Sequence, residues 1–265
     1  CDKGDLLETM EKSGTMNQIM VKFLMEQILN AVSYLHSNNI FHGDIKLENI
    51  MIYKTNTKLK RCFSGINQEF NENKELENAL VKSIKGKKEN KSSINYLKTI
   101  NDFEVKLIDF GCLKQLLNKN KKLKVIIGTS IYCSPEIIDN CYNEMCDEWA
   151  CGVLMYILLT GVPPFCGKCD EEIFQNVKKG EKDFSLSQFD YISDNCKDLI
   201  LKLLEPNKKK RIKACDALKH PFFSGDFDSM KSLKPNIDLN ALNKLINIEK
   251  FRSKFHELMI AYLCF

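Results

Sequence analysis

No apolar run in this sequence reaches the roughly 18 residues needed to cross a bilayer. The longest, Ala150 to Leu159, is interrupted by Gly152. No apolar secretory leader opens the chain, so its twelve cysteines are expected to be reduced thiols in a cytoplasmic protein. Metal or redox chemistry has little support. One C-x-x-C occurs, Cys166 to Cys169, without a second pair or a His-x-x-x-His partner, so both read as ordinary loop cysteines. A strong charge of one sign is missing as well. The balance of 39 Lys+Arg against 35 Asp+Glu leaves +4, which gives no argument for nucleic acid or an anionic membrane as partner. There is no internal repeat and no D-x-[DN]-x-[DN]-G calcium loop.

What is present suits a globular domain: 265 residues at 44% hydrophobic content are enough to bury a core. Residues 15–38 put Ile19, Phe23, Leu24, Ile28, Val32 and Leu35 on one helical face. Short strands are expected at residues 49–53 and 105–108. Between them, from about 54 to 103, Lys, Asn, Glu and Ser dominate, and the stretch reads as a mostly disordered surface insertion. Residues 148–160 are apolar nearly all round, which predicts a central buried helix. Gly161 and Pro163-Pro164 stop it. Shorter helices are expected near 170–179, 194–204 and 214–219. The last stretch, 226–265, begins polar and ends amphipathic, with Leu242, Leu245, Ile246, Phe251, Phe255, Leu258 and Met259 at helical spacing.

Five motifs follow one another in order. His42-x-Asp44-x-Lys46-x-x-Asn49 comes first, then Asp109-Phe110-Gly111 after a strand. Gly128-Thr129 leads into Ser134-Pro135-Glu136. Asp147-x-Trp149-x-x-Gly152 follows, and Arg211 lies late in the chain. Singly each is weak; together, with strands and helices between them as expected, they are hard to obtain by accident. Segment 1–223 resembles the large, C-terminal lobe of Ser/Thr protein kinases. The implied fold is mainly helical, with short strands at the catalytic loop. Residues 224–265 would form a junction beyond it.

The resemblance implies ATP and Mg²⁺ as cofactors and protein Ser/Thr as substrate. Asn49 and Asp109 would be the hard oxygen ligands of Mg²⁺. Asp44 would orient the attacking hydroxyl and accept its proton. Lys46 would face the transferring phosphoryl, and Thr129 would touch both beside the substrate. Met51 would floor the adenine pocket, with Ile108 also lining the nucleotide site. His42 and Phe110 would stack in a hydrophobic spine next to Gly111. Asp147 would hold the catalytic-loop backbone, and Glu136 would pair with Arg211. Asp5 and Glu48 match positions where basophilic kinases face an Arg three residues before the phosphosite; Asp5 would also reach the ATP ribose. A helix cap is the other reading of Asp5.

The run GVLMYILLTGVPPF, then DEEIFQNVKKGEKDF, then DNCKDLILKLLEPNKKKRIKACDALKHPFF resembles calcium-dependent kinases of the calmodulin-kinase group. That likeness implies a calmodulin-like or EF-hand regulator acting on 240–263. A helix that only packs on the lobe is the alternative.

Two departures stand out. Gly43 replaces the family's usual Arg, removing a cation that receives an activation-loop phosphate. No G-x-G-x-x-G and no V-A-I-K lysine occur, so the lobe that grips ATP from above is expected to be missing and this chain alone to be nearly inactive. A non-catalytic scaffold is the competing function.

Overall fold

A computed structural model describes residues 4–54, 103–110, 114–115, 130–141, 143–224, 243–248 and 250. Among them helices dominate. Helix α1 (Leu6–Ser13) starts at Asp5, whose side chain accepts from the Glu8 amide, and stops at Gly14 with φ 78°. Helix α2 (Gln18–Ser37) is capped by Asn17 in the same manner. Two short strands follow, β1 (Ile40–Phe41) and, after a turn of 3₁₀ helix at Leu47–Asn49, β2 (Ile50–Lys54). Strand β3 (Phe103–Leu107) pairs antiparallel with β2, and β4 (Lys114–Gln115) with β1. Then come α3 (Pro135–Ile138), α4 (Met145–Thr160), α5 (Asp170–Lys179), α6 (Asp194–Leu203), α7 (Ala214–Ala217) and α8 (Pro221–Ser224).

Helix α4 organises the core. All of its residues are buried, so the nearly unbroken apolar pattern becomes a helix surrounded by protein. It packs against α2 on one side and α6 on the other. Gly152, which broke the apolar run, sits where α6 crosses. A Cβ there would lie 2.9 Å from Leu203 and Leu204, so only glycine permits that approach. Helix α2 is buried along Val21, Leu24, Met25, Ile28, Leu29 and Val32, while Ile19, Phe23 and Leu35 are half-buried. The expected stripe is thus displaced, because α2 meets α4, α7, β1 and β3 and needs apolar groups over a wider arc.

The strands are also shifted. Asn49 belongs to the 3₁₀ turn rather than to β2, and β3 starts at Phe103. The ladder runs from Ile50↔Leu107 out to Lys54↔Phe103, so positions 54 and 103 belong to the hairpin and not to the insertion. Residues 55–102 are therefore bracketed by Lys54 and Phe103, which lie side by side in the ladder. Replacing them with a four-residue turn should not lower the melting temperature. Loop closure costs only ~0.6 kcal/mol per doubling of length, so the shortening favours the fold slightly. A melting temperature lowered by several degrees would show that residues 55–102 help hold the fold.

Candidate active site

The segment between β1 and β2 is aimed by one carboxylate. The amides of His42 and Gly43 donate to Asp147 Oδ2 and Oδ1 at 2.8 and 2.9 Å. Asp147 projects from the first turn of α4 and is 1% exposed. Gly43 has φ 78°, a left-handed conformation that costs glycine nothing and a side-chain-bearing residue appreciably more. The expectation for position 43 concerned a missing cation; the backbone adds a second reason for glycine there.

Asp44 is fixed from two directions. The Asn49 amide nitrogen donates to the Asp44 carbonyl at 2.8 Å and to its Oδ2 at 3.0 Å. Lys46 Nζ lies 2.9 Å from the same Oδ2. With its nitrogen committed, Asn49 has Oδ1 left as an acceptor. The β2–β3 hairpin carries the second loop to this point: the Ile108 amide donates to the Asn49 carbonyl at 2.9 Å. His42 Nε2 meets the Ile108 carbonyl at 3.0 Å, and the Asp44 amide meets Nδ1 at 3.3 Å. A carbonyl only accepts, so Nε2 carries the proton and Nδ1 is the acceptor. Asp109 follows at φ 59°, a strained conformation for a non-glycine residue of the kind that collects at functional sites. The Phe110 ring stands 5.2 Å from that of His42 and is 47% exposed.

These contacts bring Asp44, Lys46 and Asn49 into one cluster and seat Asp109 one peptide beyond Asn49's backbone partner. Asn49 and Asp109 offer the oxygen donors that a hard divalent cation prefers, so the residues present fit magnesium. Thr129 and Gly111 lie outside the described residues. Asp5 forms a bridge with Met51, and the Ile52 amide donates to Gly4, which places the start of α1 beside β2. The Asp5 carboxylate caps α1, receiving the Glu8 amide at 2.7 Å, and burial raises its pKa above the usual value. Glu48 lies in the 3₁₀ turn and is half-buried.

Away from the loop, Arg211 and Glu136 are both buried. The guanidinium takes Glu136 Oε1 at 2.5 Å and Oε2 at 2.9 Å, and it also donates to the carbonyls of Met145 and Glu205. It lies 5.0 Å from the Trp149 ring, which stacks on Phe165 at 5.4 Å. The bidentate pair ties α3 to the segment beyond α6.

The sequence reading missed His36 and Glu148. His36, in the last turn of α2, places Nε2 2.9 Å from Asp147 Oδ2 and Nδ1 3.1 Å from Glu148 Oε1. Two adjacent acids opening an otherwise apolar helix were the available signal. Burial opposes charging of His36, but the two carboxylates outweigh it, and the pKa is pushed up to about 10. A group whose folded pKa exceeds its unfolded one stabilises the fold in full below the unfolded value, near 6.5, and progressively less as pH rises through about 10. The melting temperature should therefore fall more between pH 7 and 10 in the native protein than in His36→Gln. Parallel profiles would exclude this ionisation.

The protein kinase domain profile matches residues 1–89 and 91–223. The chain belongs to the protein kinase family. Its relatives are mostly calcium-dependent kinases. Calcium-dependent protein kinase 5 of Plasmodium falciparum is 35% identical over 97% of this chain and 36% of its own length. Calcium-dependent protein kinase 3 of Plasmodium yoelii yoelii is 32% identical over 93% of this chain and 38% of its own. Serine/threonine-protein kinase 33 of Bos taurus is 30% identical over 93% and 43%. The chain thus spans about two fifths of the length of these relatives.

Proposed function

We propose that this chain is the catalytic-loop lobe of a Ser/Thr protein kinase that, in its full-length form, transfers the γ-phosphoryl group of ATP to protein hydroxyls. The observation that carries this reading is the Asp44–Lys46–Asn49 cluster hydrogen-bonded to the strand that delivers Asp109. ATP and Mg²⁺, when bound, supply the phosphoryl group and neutralise its charge. Asp44 orients the substrate hydroxyl and receives its proton at the carboxylate. Lys46, held 2.9 Å from Asp44, lends positive charge beside the reacting oxygen. Asn49 Oδ1 and the Asp109 carboxylate would hold the metal. Asp147 keeps the loop backbone still while this happens.

The half-exposed Phe110 beside exposed Asp109 supports a second lobe that closes over the nucleotide. Acids around α1, namely Asp5, Glu8 and Glu11, together with Glu48, support a basophilic preference. Full-length protein should phosphorylate Arg-x-x-Ser peptides at least tenfold faster in kcat/KM than acidic Ser peptides, about the value of one charge-assisted contact. Equal rates on both would defeat the preference, and no transfer to either would defeat the activity.

Regulation through the tail has its own support. Leu245 and Ile246 are buried in the main core, and Lys250 Nζ binds Glu11 at 2.6 and 2.7 Å. One cation of the tail, Lys250, thus sits on α1 among the acids assigned to substrate arginine. A calcium-responsive partner that drew off 240–263 would uncover them.

A further inference from the structure

The hydrogen bonds that aim the catalytic loop continue past Asp147. Both ring nitrogens of His36 face carboxylate oxygens, Asp147 Oδ2 at 2.9 Å and Glu148 Oε1 at 3.1 Å. Ionised carboxylates only accept, so satisfying both contacts requires a proton on each nitrogen. Glu148 is 0% exposed. Its Oε1 also accepts from the Ala214 amide at 3.1 Å, the first residue of α7. Asp147 already gives both oxygens to the His42 and Gly43 amides. Two buried carboxylates at consecutive positions of α4 therefore share a cation that comes from α2.

We propose that His36 and Glu148 are positioning residues for phosphoryl transfer. Glu148, anchored on α7, holds the imidazolium; the imidazolium fixes the Asp147 carboxylate; and that carboxylate fixes the peptide units on which Asp44 stands. The inference rests on Asp44 being the group that receives the hydroxyl proton. Without the cation, two neighbouring buried carboxylates repel each other, and one takes up a proton or turns away. A protonated or displaced Asp147 no longer accepts both amides, and the backbone at 42–44 loosens. The contacts of Asn49 with Asp44 and Ile108 do not involve His36, so nucleotide affinity is expected to persist while turnover suffers. A His36 that merely stabilised the fold would change the melting temperature and leave turnover per folded molecule intact.

The test uses the full-length protein with His36→Gln, Glu148→Gln and the double variant. The readouts are kcat, KM for ATP, KM for a Ser peptide, and the folded fraction at the assay temperature. Each single variant should lose on the order of 10- to 100-fold in kcat per folded molecule, the scale set by misplacing a catalytic group by about an ångström. Both KM values should stay within about twofold. The double variant should be no worse than the more impaired single, because both changes act on one chain of contacts leading to Asp147. Native kcat per folded molecule in both singles overturns the proposal, as does a rise of KM for ATP in step with the loss of kcat. Should His36→Gln fail to fold, Glu148→Gln decides on the same readouts; if neither folds, the pair is structural and the proposal fails. An inactive native protein overturns the reading of the site and this proposal with it, whereas an active native protein with unaltered variants overturns this proposal alone.

Discussion

Asp44→Asn in the full-length protein should lower kcat by about 10²- to 10⁴-fold, the usual contribution of a positioned general base. The substitution keeps the shape of the side chain and an oxygen for the Asn49 amide, now 3.0 Å from Oδ2. It removes the negative charge and the basic lone pair. The ion pair with Lys46 is lost too, but the Lys46 and Asp44 side chains are 17% and 12% exposed, so water compensates in part and the fold should survive. KM for ATP should change little, since the proposed metal ligands, Asn49 and Asp109, are untouched. A peptide phosphorylation assay with a melting curve on the same sample separates lost chemistry from lost structure. Turnover within a few-fold of the native protein would remove Asp44 from the chemistry.

The second large effect concerns stability. Arg211→Met should destabilise the protein by about 3–5 kcal/mol, because Glu136 is left charged and buried without its partner. The magnitude follows from burial: Arg211 is 3% exposed and Glu136 6%, so water cannot take over the lost contacts. The carbonyls of Met145 and Glu205 lose their donor as well, each at about 1–3 kcal/mol if left unsatisfied. Glu136→Gln with Arg211→Met should recover part of the loss, since the stranded charge is gone while the stranded carbonyls remain. Urea denaturation of both variants measures this. A loss under about 1 kcal/mol for Arg211→Met would place the pair among ion pairs of little consequence.

Much of the proposed site was legible because phosphoryl transfer would restrict which residue types serve. A carboxylate, a cation and two oxygen ligands at fixed intervals leave a recognisable trace in Asp44, Lys46, Asn49 and Asp109 whatever the intervening chain does. The buried helix α4 was legible for a different reason: a helix covered on every side must be apolar on every side. The α2 face and the hairpin limits were read less well. Periodicity assigns one face to a helix, whereas α2 meets elements on several sides. Composition sees a polar insertion begin near 54, but the ladder registers Lys54 against Phe103 because backbone hydrogen bonds are indifferent to side-chain polarity.

His36 and Glu148 show what a linear reading omits. One lies at the end of α2 and the other at the start of α4, and nothing in either segment announces the other. The sequence by itself determined the central helix and the family to which the chain belongs, because these rest on local spacing and on how much apolar surface a segment must hide. Only the tertiary structure decided why glycine suits position 43 and which cation offsets the buried acids of α4. Those depend on groups distant in the chain approaching within hydrogen-bonding distance, where a charge removed from water has to find its counterpart inside the protein.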